Sequence, residues 1–321
     1  MKASIDDVQL DLLNLVNKLI ETNNLEEALE KLLEITKEYP SFKSLTCLGY
    51  FYMRIGEPFE KRWTYKTDKS INVLEQALTF NPMYHYTYSL LGEGYIRQNM
   101  YKKVENILKQ GLKINNDYVI NNNLGVALFK QGNIVEACKY FCISHNLGKN
   151  KMNYSYYPYL NYAICLALKD NIEDSLKIAE ELINLESDER SGEVDIIDIC
   201  KIFYLSKKYY IVERLINEAL QFYSLGFDDF IIYSHSLIEL NHPDRLRSTI
   251  VEICEEREEY IQENLSDTNL SETDKMLNIK SIKDEITKYT NIYNNILNGC
   301  IPSLSDEIYV EQNYYEFKWL Y

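Results

Sequence analysis

Proline and glycine are scarce in this chain, with 6 Pro and 11 Gly among 321 residues. A chain of this length built from strands and tight turns needs many more, so an all-β fold is excluded and an all-α one is expected. No stretch approaches 18 uninterrupted apolar residues, and the opening MKASIDDVQLDLL has no basic segment leading into an apolar run. Neither a membrane span nor a signal peptide is therefore expected, and the cytoplasm is the expected location. Positive charge is also short: 34 Lys and Arg face 49 Asp and Glu, a formal net charge of -15. That balance disfavours nucleic-acid phosphate and anionic membrane as partners.

Chemistry is equally sparse. The four histidines (His85, His145, His235, His242) are dispersed and form no HExxH or other close metal-binding set. The phosphate-binding GxxxxGK[ST] and nucleophile GxSxG patterns are missing. The seven cysteines show no CxxC pair and read as reduced core residues, including Cys138 and Cys142, spaced i, i+4. No catalytic, cofactor or metal residue is expected, and the chain does not read as an enzyme.

What the chain does have is a repeat. Leu48-Gly49 with Tyr52, Leu91-Gly92 with Tyr95, Leu124-Gly125 with Leu128 and Tyr162-Ala163 with Leu166 each place a small residue inside a helix-sized segment. The small residues lie 43, 33 and 38 apart, near the period of about 34 of a stacked helix-pair array. Asn24, Asn133 and Asn171 each precede a second helix, with a carboxylate three residues later, and are expected to be N-caps. Ala28, Ala137 and Ser175 are the small residues at which that second helix approaches its neighbours. Pro40 and Pro82 close the first two units. They are 42 apart, so the second unit carries about eight extra residues, placed between its helices at 57–66.

These residues resemble the tetratricopeptide repeat (TPR) family: Tyr88-x-x-Leu91-Gly92-x-x-Tyr95 fits its first helix and Asn133 to Phe141 its second. The expected fold is a right-handed α-solenoid of TPR-like helix pairs at 5–39, 43–81, 84–115, 118–148, 154–186, 193–224 and 227–265, followed by a capping helix at 271–298. Residues 1–265 would form the solenoid and 266–321 the capping helix with an acidic, aromatic tail. The sixth pair lacks the glycine and rests on Ile196, Ile199, Cys200, Phe203, Val212, Ile216 and Ala219. The tail, with Tyr309, Val310, Tyr314, Tyr315, Phe317, Trp319 and Leu320, is expected to dock on the last helices.

The resemblance also implies a function: a scaffold that holds a protein or extended peptide in a concave groove. In such units the residue two before the packing small residue points into the groove, which here selects Asn14, Cys47, Leu90, Asn123, Asn161 and Asp198. Asn14, Asn123, Asn161 and Asp198 are the expected partner-binding residues, because an amide both donates to and accepts from a peptide backbone. No basic clamp for a carboxylate is recognisable beside them. Acid is concentrated late, with 15 acidic and 6 basic residues from Val251 to Tyr321, which suits a basic partner. Two alternatives stand beside the scaffold: an immunity protein or chaperone that neutralises a basic toxin or effector, and a peptide-sensing regulator.

Overall fold

The computed structural model describes residues 5–59, 62–80, 83–151, 154–185, 194–222 and 224–300. Helices come in pairs: α1 (Ile5–Glu21) with α2 (Leu25–Glu38), α3 (Phe42–Arg54) with α4 (Thr67–Leu78), α5 (His85–Arg97) with α6 (Tyr101–Ile114), and α7 (Tyr118–Lys130) with α8 (Ile134–Gly148). They continue as α9 (Tyr157–Leu168) with α10 (Ile172–Asn184), α11 (Ile196–Leu205) with α12 (Tyr209–Ala219), and α13 (Phe227–Glu239) with α14 (Pro243–Ser266), before α15 (Glu272–Leu297). The pairing matches the sequence reading, and the fold is an all-α solenoid of TPR-like repeats. Its one departure is the insertion in the second unit, where β1 (Glu57–Phe59) and β2 (Arg62–Thr64) form a small antiparallel hairpin.

Six of the seven turns between paired helices are built alike, in a way the repeat signature did not reveal. Asn23, Asn99, Gly132, Asp170, Lys207 and Asn241 all take positive φ, from +55° to +80°. The next amide then reaches back into the first helix, as from Asn24 to Leu19, Met100 to Tyr95 and Asn133 to Leu128. This closure satisfies carbonyls that a helix end leaves open. The expected asparagine caps are partly corrected. Asn133 accepts from the Glu136 amide at 3.3 Å, whereas Asn24 and Asn171 donate to the Glu27 and Asp174 carboxylates at 2.6 and 2.8 Å.

The helices group into two compact units, Met1–Tyr162 and Ala163–Glu307, and each is described by itself. The sequence-based boundary after residue 265 falls inside the second, in the last turn of α14. In the first unit, Leu13, Val16, Leu32, Phe51, Leu74, Leu91, Leu108, Leu124 and Phe141 are buried between successive helices. The repeat glycines are contact points. A Cβ on Gly49 would lie 2.6 Å from Leu74, and one on Gly125 2.7 Å from Phe141, both closer than real contacts allow. Ser70 stands beside this seam, its hydroxyl donating to the Gly49 carbonyl at 2.6 Å.

In the second unit the Ser175 hydroxyl makes the same bond to Ala163, at 2.8 Å. Ile178, Leu182, Ile199, Phe203, Val212, Ile216, Phe230 and Tyr233 form its core. Helix α15 is buried chiefly through its second half, where Tyr289 packs against Phe227 and Phe230 and donates to the Leu225 carbonyl at 2.5 Å, while Lys275 and Asn278 of its first half donate to the Leu265 carbonyl and the Asn264 side chain of α14 at 3.3 and 2.9 Å. Its first half is exposed, Met276 at 72% and Leu277 at 61%, so the cap covers less than its length. The segment after residue 300, with the tail expected to dock, lies outside the described residues, as does Pro82.

Candidate functional site

Helical geometry marks out one face of the first unit. Residues advance about 100° each round an α-helix, so the glycine that meets the second helix serves as a zero mark. Gly49 faces Leu74 of α4, Gly92 faces Leu108 of α6 and Gly125 faces Phe141 of α8. About 200° round from Gly92, a Cβ on Gly94 would meet Ile71 and Met53 of the preceding pair at 2.8 and 3.0 Å. Between these two packed sides lie the residues one and five after each glycine, about 100° and 140° round. They are Tyr50, Glu93 and Val126, and then Arg54, Arg97 and Lys130.

This register places a basic residue at the same point of three consecutive repeats. Each sits in the last turn of its helix, where a cation is favoured by the helix dipole in any case. Arg54 grips Glu93 with both terminal guanidinium nitrogens, at 2.5 Å each, and Arg97 reaches the same carboxylate at 2.9 Å. Burial works against the Arg54 cation, but the hydrogen bonds and charge of Glu93 outweigh it and its pKa is raised. Two guanidiniums thus share one carboxylate, and Lys130 continues the row of cations on the next repeat. Aromatic rings flank it. Tyr50 and Tyr86 lie 6.4 Å apart, Arg54 stands 6.0 Å from the Tyr50 ring, and burial pushes the Tyr86 phenol well above its ordinary pKa.

Along the same helices runs a group of amides. Asn161 of α9 donates to the Asn122 side chain at 3.0 Å, and Asn122 donates to Asn123 at 3.3 Å. All three are 0% exposed. Asn123 and Asn161, two of the expected partner-binding residues, thus come together through Asn122, at a point closed to solvent. The residue two before the glycine lies about 160° round, close to the side the preceding pair fills, which explains the burial of Cys47 and Leu90 as well. Asn14 is exposed on α1, outside this group. Asp198 belongs to the second unit, where it pairs with Lys201 at 3.4 Å. Sequence reasoning missed Arg54, Arg97 and Lys130, although their constant spacing of five from the repeat glycines is a signal that finds them.

Shielding stops at the basic row, where Arg97 is exposed and Arg54 and Lys130 are half-buried. Residues 86–96 of α5 and 119–129 of α7 are buried without interruption, a run of three turns that covers every direction round each helix. By contrast α6 buries Val104, Ile107, Leu108 and Gly111 on one stripe and leaves the rest to water. Among the described residues no three His, Cys, Asp or Glu side chains converge as a metal site requires, and no helix is long and apolar enough to cross a membrane.

No protein-family model matches the sequence, and no curated protein matches it. Solved structures do. A tetratricopeptide repeat protein from Parabacteroides merdae ATCC 43184 is 14% identical, with a TM-score of 0.58 over 88% of this chain and 99% of that one. A chain of the APC/C hetero-tetramer Cut9-Hcn1 is 12% identical, with a TM-score of 0.57 over 92% of this chain and 49% of that one. The present chain therefore spans about half the length of the latter. Identities this low show the fold alone, and that fold is the TPR-like helical repeat.

Proposed function

We propose that the protein is a non-catalytic, cytoplasmic interaction scaffold that holds a polypeptide across α3, α5, α7 and the start of α9. The observation that carries this reading is the row Arg54, Arg97 and Lys130 beside the Asn122, Asn123 and Asn161 amides. The exposed Arg97 and the half-buried Lys130 suit a carboxylate-bearing partner, and the half-buried Tyr50 ring supplies rigid contact area beside them. The residues favour an acidic segment at this face. Selection of phage-displayed random dodecamers on the full chain tests it. Enriched peptides should be acidic, and should bind Lys130→Glu at least about tenfold more weakly, the cost of reversing one contacting charge. Equal binding to wild type and variant would overturn the reading.

A second reading rests on the other unit. Glu252, Glu255, Glu258, Glu259 and Glu263 are exposed on α14, an acidic surface suited to steering a basic toxin or effector toward an immunity protein or chaperone. Retained association with a basic protein after Lys130→Glu, and its loss after charge reversal on α14, would favour that role. A peptide-sensing regulator would use the first face and differ only in what the bound peptide then controls.

A further inference from the structure

Helices α14 and α15 run antiparallel along a seam marked by Arg257 with Glu285 and by Asn278 with Asn264, at 3.0 and 2.9 Å. Over most of its length the pair has no core of its own, since no residue from Cys254 to Lys288 is buried. Helices draw most of their stability from burying an apolar face, yet Ile261, Ile279, Ile282 and Ile286 are only half-buried here. Ile279, Ile282 and Ile286 follow at spacings of three and four, and isoleucine at both such positions favours bundles of three or four helices over two. The pattern asks for more helices than α14 and α15 alone.

The open side can be located from α13. Lys288 stands 3.6 Å from the centre of the Phe227 ring, so α13 lies on that flank of α15. Met276, Lys283 and Leu297 form a stripe about 120–180° round from Lys288. On α14, Val251, Glu258 and Leu265 lie about 120–160° round from the buried Ile253. Both stripes fall on the side turned away from α13. Val251, Leu265, Met276 and Leu297 are exposed there, an apolar surface of the kind that marks an interface.

Charge selects the occupant. The two rims of this side carry opposite sign, with Glu255 and Glu258 exposed on α14 and Lys280 and Lys283 exposed on α15. A two-fold axis running along the hairpin lays α14 of each copy antiparallel on α15 of the other. By the register of the seam, Glu258 then comes level with Lys283 of the second copy, and Leu265 with its Met276. An axis across the hairpin would instead set α14 on α14, with acid facing acid.

We infer that the protein self-associates as a two-fold dimer through this outer side of the α14–α15 hairpin, completing an antiparallel four-helix bundle. The interface lies wholly in the second unit, so it stands or falls apart from the polypeptide-binding face of the first.

Sedimentation equilibrium of the full chain tests it. The wild type should show twice the mass of one chain at micromolar concentration. Leu265→Glu with Met276→Glu, both at exposed positions, should show the single mass with helix content unchanged. Glu255→Lys with Glu258→Lys, and separately Lys280→Glu with Lys283→Glu, should each weaken the dimer at least about tenfold, because like charges then meet across the interface. Mixing these two variants should restore the double mass, since only the mixed dimer pairs unlike charges. A wild type of single mass, a dimer that survives Leu265→Glu with Met276→Glu, or charge variants that do not rescue each other would overturn the inference.

Discussion

The side-chain amide of Asn161 donates to the Asn122 carbonyl oxygen at 3.0 Å, joining two first helices 39 residues apart in sequence at a point fully closed to solvent. That bond aligns α7 and α9, and with them the positions that face away from the second helices. The same alignment appears between α3 and α5, where the Thr46 and Thr87 hydroxyls meet at 2.9 Å and Arg54 grips Glu93. Polar contacts between first helices therefore fix Arg54 of the basic row against α5.

Glu93 is the group whose loss should be felt most in that row. It is buried at 1% exposure between two guanidiniums, and Glu93→Ala would leave Arg54, itself 11% exposed, without its carboxylate. Removing one partner of a buried pair costs about 3–5 kcal/mol. Urea unfolding of Glu93→Ala should show a loss of that size, and a loss under about 1 kcal/mol would show that the pair is solvated.

Gly125 should not tolerate a side chain. A Cβ there meets Phe141 at 2.7 Å, and both Phe141 and Leu124 are 0% exposed, so there is no room to retreat. Gly125→Leu is expected to destabilise by about 1–3 kcal/mol through overpacking. An unchanged denaturation midpoint would contradict the packing register on which the location of the face depends.

Lys207 occupies the left-handed position, φ +55°, that Asn, Asp or Gly fills in other repeats. A side chain other than these pays about 1–2 kcal/mol there. Lys207→Gly should therefore stabilise the chain by about 1 kcal/mol after the entropy glycine loses. No gain in thermal midpoint would mean that the Lys207 side chain makes a compensating contact.

Acidification should weaken the fold through His235 and His85. Burial lowers both pKa values, His235 beside the Tyr204 hydroxyl at 3.0 Å and opposed by Glu239, His85 opposed by Asp117. A depressed folded pKa means that the unfolded chain binds the proton more readily. The stability they contribute is full above the unfolded histidine value of about 6.5 and is lost as pH falls through the lowered folded values. His235→Gln should flatten the fall in stability between neutral and acid pH, measured by denaturant titration, and an unaltered slope would remove His235 from the account.

The fold was legible because its signals are local and repeated. Gly49, Gly92 and Gly125 mark contacts where any side chain collides with Leu74, Leu108 or Phe141, and the apolar spacing of α11 and α12 carried the unit without a glycine. The hairpin at Glu57–Thr64 showed only as surplus length, since a two-stranded ribbon this short has little periodicity. The site was less legible because a groove is a property of neighbouring repeats. The spacing picks out Asn123 and Asn161, but their partner in the structure, Asn122, carries no repeat signature. Arg54 and Arg97 read singly as ordinary helix-end cations. Only when the repeats are superimposed do they fall into line with Lys130.

The central claim is that the α3–α5–α7 face recognises an acidic polypeptide through its basic row. The most direct measurement is the fluorescence anisotropy of a fluorescein-labelled acidic dodecamer, taken from the selection, titrated with the full chain at increasing sodium chloride and repeated with Lys130→Glu. Affinity should fall as salt screens the charges, and the variant should bind about tenfold more weakly at low salt, with a shallower salt dependence. Binding that is indifferent to salt and to Lys130→Glu would contradict the account.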